Sequence, residues 1–95
     1  MKKKLDDPFT VLLPHLDLHG ETSDSASFLT ESFIKDNYSI GNTKIVIIHG
    51  KSGGVLKKVV LNILKKNKLV NHYEIDAFND GQTIVEIKER KVNIK

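Results

Sequence analysis

A chain of 95 residues makes one small domain, able to bury about 60–65% of its unfolded surface around one core but too short for two. Hydrophobic residues make up 39% and charged residues 28%, no apolar run nears the ~18 residues of a membrane span, and the short apolar stretch 9–13 lacks a small-residue cleavage site, which excludes a membrane-spanning chain and argues against secretion. Zero cysteines exclude disulfides and thiolate metal sites, and a cytoplasmic location is expected.

Beyond the opening residues, Leu16-Asp17-Leu18 alternates with period two and stops at His19-Gly20, which predicts a first short strand. Thr22 or Ser23 can cap a helix over about 23–37, in which Ala26, Leu29, Phe33 and Ile34 share one apolar stripe and Asn37 and Gly41 mark the end. The β-branched run "TKIVII" at 43–48 is the pattern of a central strand covered on both faces. Val55, Leu56, Val59, Val60, Ile63 and Leu64 recur at helical spacing and predict a second helix over about 54–66, with lysines on its outer face. A third strand at 73–78, a turn at Asn79-Asp80-Gly81 and a fourth strand at 83–88 complete a hairpin. Both ends, about 1–10 and 90–95, are expected to be loose.

The order β-α-β-α-β-β predicts an α/β two-layer sandwich with a four-stranded mixed sheet and two helices. Right-handed crossovers lay the first three strands parallel, or mostly so, with the fourth antiparallel. Ligands of open α/β sheets gather beyond the carboxyl ends of the strands, where His19 and His49 both stand. His15 and His72 fall at the opposite edge and are poor catalytic candidates. The Asn79–Gly81 turn and the amino end of the second helix return to the histidine edge.

Residues two apart on a strand point the same way, so Asp17 and His19 can project together. A carboxylate beside an imidazole fixes its tautomer and raises its pKa toward neutrality; the plain alternative is that Asp17 caps a nearby amide and His19 satisfies a turn. A second histidine at the neighbouring strand end allows two imidazoles to share the work of base and acid, typically worth about 10²–10⁴ in rate. The following "GKSGG" is not a P-loop, because Ile45 occupies the place of that motif's first glycine. Its glycines and the helix start behind it suit a phosphate, with Lys51 adding charge; the competing reading is a tight strand-to-helix turn. Six lysines (51, 57, 58, 65, 66, 68) and no acid lie between His49 and Lys68, which reads either as a phosphate-facing surface or as a solvated lysine face. Two histidines and Asp17 could ligate zinc, but a Mg²⁺ site wants more carboxylates than Asp17 and Glu21, and no metal is assigned.

"LDLHGET" (Leu16–Thr22), "IIHGKSGGVLK" (Ile47–Lys57) and "DGQTIVEIK" (Asp80–Lys88) together resemble the small MutS-related, or Smr, domain over about residues 15–89, leaving 1–14 as an extension and 90–95 as a loose tail. The resemblance implies a sandwich like the carboxyl-terminal domain of a bacterial translation initiation factor. It also implies nucleic-acid binding and, in many members, endonuclease activity on DNA or RNA, some of it in DNA repair or at stalled ribosomes. Carried over by position, the Asp-x-His-Gly motif falls on Asp17, His19 and Gly20, and the second motif on His49, Gly50, Lys51 and Ser52-Gly53-Gly54. Ser52 replaces the family's first glycine of Gly-x-Gly, which puts loop geometry, and with it cleavage, in question more than binding. The expectation is a nucleic-acid-binding endonuclease acting on RNA or structured DNA. Asp17, His19 and His49 are the catalytic set, while Gly20, Gly50, Lys51, Ser52, Gly53, Gly54, Lys57 and Lys58 hold phosphate. No cofactor is expected, since an RNA 2′-hydroxyl can serve as nucleophile, although a divalent cation is compatible; a monomer is expected, with the ribosome a candidate partner. The alternative is a non-catalytic nucleic-acid or ribosome binding module.

Overall fold

The first strand, β1 (His15–Asp17), is only three residues long because Asp17 turns the chain at once: its carboxylate accepts the backbone N–H of His19 at 2.9 Å. Gly20, at φ 81, completes the turn in a region that disfavours any side chain. Leu18 falls just past the strand, yet its N–H still reaches the Ile48 carbonyl at 2.9 Å and its side chain is fully buried. The computed structural model describes residues 10–51 and 54–91, so Ser52, Gly53 and the outermost residues at both ends lie outside the description.

Helix α1 (Ser23–Ser39) is started by Thr22, whose hydroxyl accepts the Ser25 N–H while the Ser25 hydroxyl accepts the Thr22 N–H, a reciprocal cap. Ala26 and Ile34 are buried, and Leu29 and Phe33 pack beside them, which is the expected stripe. The helix runs two residues past the predicted end before Asn37 and Asn42 close it, Asn42 donating side chain to side chain at 2.8 Å. Strand β2 (Lys44–Ile48) follows, then α2 (Val55–Lys66), β3 (Val70–Asp76) and β4 (Asn79–Ile87). No helix among the described residues is long and apolar enough to cross a membrane.

The sheet order is β1-β2-β4-β3, with β1 parallel to β2, and β4 antiparallel to both β2 and β3. Strands β1, β2 and β3 therefore run the same way and β4 against them, as the crossover rule requires. Both helices cover one face. Ile45 and Ile47 of β2, Val85 and Ile87 of β4, Leu18, Ala26, Ile34, Val60, Ile63 and Leu64 form the core there. Each fully buried aliphatic side chain is worth about 1.5–3 kcal/mol over an exposed one. On the other face Val46 and Ile84 form a small second cluster with Leu13 and Ile48. Residues 10–14, expected to belong to an extension outside the domain, are therefore partly built in: Thr10–Leu12 makes a 3-10 turn, Pro14 accepts the Val46 N–H and Leu13 lies on the sheet. Arg90 is likewise anchored, donating to the Ser39 carbonyl at 2.7 Å.

The hairpin differs most from expectation. Its turn is Ala77-Phe78 rather than Asn79–Gly81, because Asp76 accepts the Phe78 N–H at 2.9 Å and folds the chain two residues early. Strand β3 correspondingly lies at 70–76, its first half carrying exposed polar residues, as suits an edge strand. The Asn79-Asp80-Gly81 segment instead forms an irregularity in β4, with Asn79 accepting the Gly81 N–H at 3.0 Å. Val55 also departs from its predicted stripe and is 59% exposed, since it opens α2 beyond the end of the sheet.

Candidate functional site

Two strand ends meet at one edge. The turn after β1 contributes Asp17, His19 and Gly20, the turn after β2 contributes Ile48, His49 and Gly50, and α2 adds Leu56; together they line a cleft of about 350 Å³. The predicted pairing of the two motifs is thus a feature of the fold. His15 and His72 lie outside this cleft: His15 donates Nδ1–H to the Leu13 carbonyl, and His72 stands 3.9 Å from Glu74.

The two cleft histidines differ sharply. His19 is exposed, and among the described residues nothing bonds its imidazole. Asp17 was expected to orient that ring, but its carboxylate is committed to the His19 backbone N–H, which fixes the turn and not the tautomer. His49 is only 6% exposed. Its Nδ1 lies 3.2 Å from the Gly50 carbonyl and its Nε2 lies 2.8 Å from the Thr83 hydroxyl. A carbonyl can only accept, so Nδ1 carries the proton and a neutral Nε2 accepts from Thr83. Burial pushes the His49 pKa below its ordinary 6.5, and nearby Lys57 adds to this, while the Gly50 hydrogen bond and Asp80 oppose it. The same loop is tied a second time, through the Gly81 carbonyl, which accepts the N–H groups of both His49 and Gly50 at 2.9 Å.

Thr83 was not picked out from sequence. The one available signal was parity: Thr83 lies on the helix face of β4 with Val85 and Ile87, and a fully buried threonine hydroxyl there needs a polar partner.

The phosphate-binding candidates divide by position. Gly54 caps α2 at φ 71, a backbone suited to glycine, and brings no side chain to the first-turn amides; α2 has no acidic residue in its first turn. These amides face the same end of the sheet as the cleft. Lys51 is largely exposed and stands 3.9 Å from Asp80. Lys57 is half-buried near His49 and Lys58 is exposed. Lys65, Lys66 and Lys68 lie at or beyond the far end of α2, about 12 Å or more along the helix from Lys57. Ser52 and Gly53 lie outside the described residues. Among those described, no three His, Asp or Glu side chains are grouped closely enough to hold a metal ion.

The family model of the Smr domain matches residues 16–88, from the first motif to the end of β4. The chain belongs to the Smr domain family. Curated relatives include Endonuclease MutS2 of Clostridium kluyveri, 37% identical over 76 residues, and of Caldicellulosiruptor saccharolyticus, 35% identical over 77. These matches cover 80% and 78% of this Smr chain but only 10% of each relative. Among solved structures, the Smr domain of Thermus thermophilus MutS2 superposes with a TM-score of 0.77 at 22% identity, covering 80% of this chain and 99% of that one. YdaL, a stand-alone small MutS-related protein from Escherichia coli, gives 0.70 at 22% identity, covering 81% and 64%. The four-stranded mixed sheet with two helices is thus the Smr fold.

Proposed function

We propose that this Smr domain binds nucleic acid and cleaves a phosphodiester bond in RNA or structured DNA. The observation that carries the reading is the cleft itself, where an unencumbered imidazole, a space roomy enough for a phosphate and its sugar, and a helix start without a side-chain cap converge. The name of the MutS2 relatives adds support, for the part of them that this chain matches.

His19 is the proton-transfer group. In RNA it takes the proton of the 2′-hydroxyl as that oxygen attacks phosphorus, the bond to the 5′-oxygen breaks, and the departing oxygen is protonated by water in the open cleft. Asp17 holds the turn that presents His19. His49 acts here by placement, since both its nitrogens are occupied; it fixes Gly50 and the loop behind it. Lys51, Lys57, Lys58 and the first-turn amides of α2 neutralise phosphate, with Gly20 and Gly50 allowing close approach. Cutting by the wild type, lost in Asp17→Ala with binding retained, would support this account; intact RNA and DNA, with and without divalent ions, would sink the nuclease claim.

A second reading is a non-catalytic module that grips nucleic acid, for instance on a ribosome. It is favoured by the internal commitment of His49, which leaves one free imidazole where two were expected to share the proton transfers. It predicts salt-sensitive binding without cutting.

A further inference from the structure

We infer that Phe78, on the turn between β3 and β4, stacks on an unpaired base of the nucleic acid whose phosphate occupies the cleft, so that the substrate is single-stranded or unpaired at the point of contact. This rests on the nucleic-acid reading above and names its substrate class.

Phe78 is 85% exposed, yet its position is closely held. Asp76, itself 7% exposed, accepts the Phe78 N–H through Oδ1 at 2.9 Å and the Gln82 side-chain amide through Oδ2 at 2.7 Å. Asn79 accepts the Gly81 N–H at 3.0 Å. Three side-chain bonds thus lace the hairpin end at 76–82, whose largest apolar group points to solvent. With its backbone held in this way, Phe78 has only its two side-chain torsions to lose on binding.

The turn also stands beside the cleft. Gly81 accepts the His49 and Gly50 N–H groups at 2.9 Å, and Gly50 lines the cleft. Chain length keeps the Phe78 backbone within about 10 Å of Gly81, which is the reach of one or two nucleotides from a phosphate in the cleft. Lys51 stands against the same turn: a side chain on Gly81 would meet the Lys51 Cγ at 3.1 Å, so the lysine stem passes close over this glycine. The Lys51 ammonium lies 3.9 Å from Asp80, offsetting that carboxylate. The Lys51–Asp80 pair leaves the rim next to Phe78 close to charge balance, which suits the uncharged face of a base.

A protein partner is the weaker fit. Interface hot spots gather several apolar side chains into one desolvated patch, and here Phe78 is flanked by Asp76, Ala77, Asn79 and Asp80. Base stacking needs only one ring and a nearby cationic track. A continuous duplex is also disfavoured, because its base faces are already covered by their neighbours.

The test is a titration of the full chain with short single-stranded RNA and DNA carrying 2-aminopurine, and with the same sequences as blunt duplexes. Wild type should quench the probe in single strands. Phe78→Ala should lose the quench and bind single strands about five- to a hundredfold more weakly, with duplex affinity unchanged, while Phe78→Trp restores both. Equal single-strand affinity of wild type and Phe78→Ala, or equal losses on single strand and duplex, would overturn the role of Phe78 alone. A wild-type chain that binds none of the four ligands would overturn the nucleic-acid reading and the stacking contact with it.

Discussion

Thr83 and His49 form a buried pair in which one hydroxyl satisfies one ring nitrogen, and removing that hydroxyl leaves Nε2 without a partner. Thr83→Val keeps the shape and should cost about 1–3 kcal/mol of unfolding free energy by urea titration, with Thr83→Ser closer to wild type. The lowered pKa of His49 sets a pH dependence whose sign is fixed. The fold favours the neutral ring, so this contribution is complete above about pH 6.5 and is lost as pH falls through that value toward the folded pKa. Urea midpoints measured downward from about pH 8 should show the decline, and His49→Gln should flatten it. At the other histidine, Asp17 acts on a backbone amide, so Asp17→Asn, which still offers a carbonyl oxygen, should retain most of any cutting while Asp17→Ala loses it. Equal loss in both variants would show that the charge matters and not the turn.

At the scale of elements, the lysines of α2 do not act as one surface. Lys51, Lys57 and Lys58 stand at the cleft end, and Lys65 and Lys66 lie two turns away. A single strand confined to the cleft should give a slope of log K against log salt of about −2, whereas a strand running the length of the helix and touching six lysines should give about −4. Lys65→Gln with Lys66→Gln separates the two, leaving the slope unchanged in the first case. The strand and helix order, the parallel strands and the edge shared by the two motifs were legible in the sequence, because period-two and helical patterns carry that information directly. The hairpin turn was not, since Asn-Asp-Gly is the stronger local signal and only the Asp76 carboxylate, with Gln82 behind it, moves the turn to Ala77-Phe78. The buried state of His49 was hidden too: its partner Thr83 is 34 residues away and nothing in either local stretch announces the contact. For Asp17 the sequence left two roles open, orienting the His19 ring or capping a nearby amide, and the structure shows the amide contact, because a carboxylate two residues before a histidine can reach the backbone sooner than the ring.

Across the whole molecule, charge is segregated rather than large. The net value is +3, but α1 carries Asp24, Glu31 and Asp36 against one lysine, while α2 carries four lysines and no acid. Both helices lie on the same face of the sheet, so the field across that face is directional and favours a polyanion arriving over α2. With the cleft at one end of α2 and Phe78 on the neighbouring turn, the proposed phosphate and base positions fall on a single edge. The chain spans about a tenth of the length of the MutS2 relatives it matches, so any wider role of those proteins is separate from what this edge does alone. The most direct measurement is end-labelled RNA and DNA incubated with wild type and with His19→Ala, with and without a chelator, followed by separation of the products. The account predicts cutting by wild type, reduced about 10²–10⁴-fold in His19→Ala while binding persists. Undiminished cutting by His19→Ala, or none by wild type under any of these conditions, would contradict it.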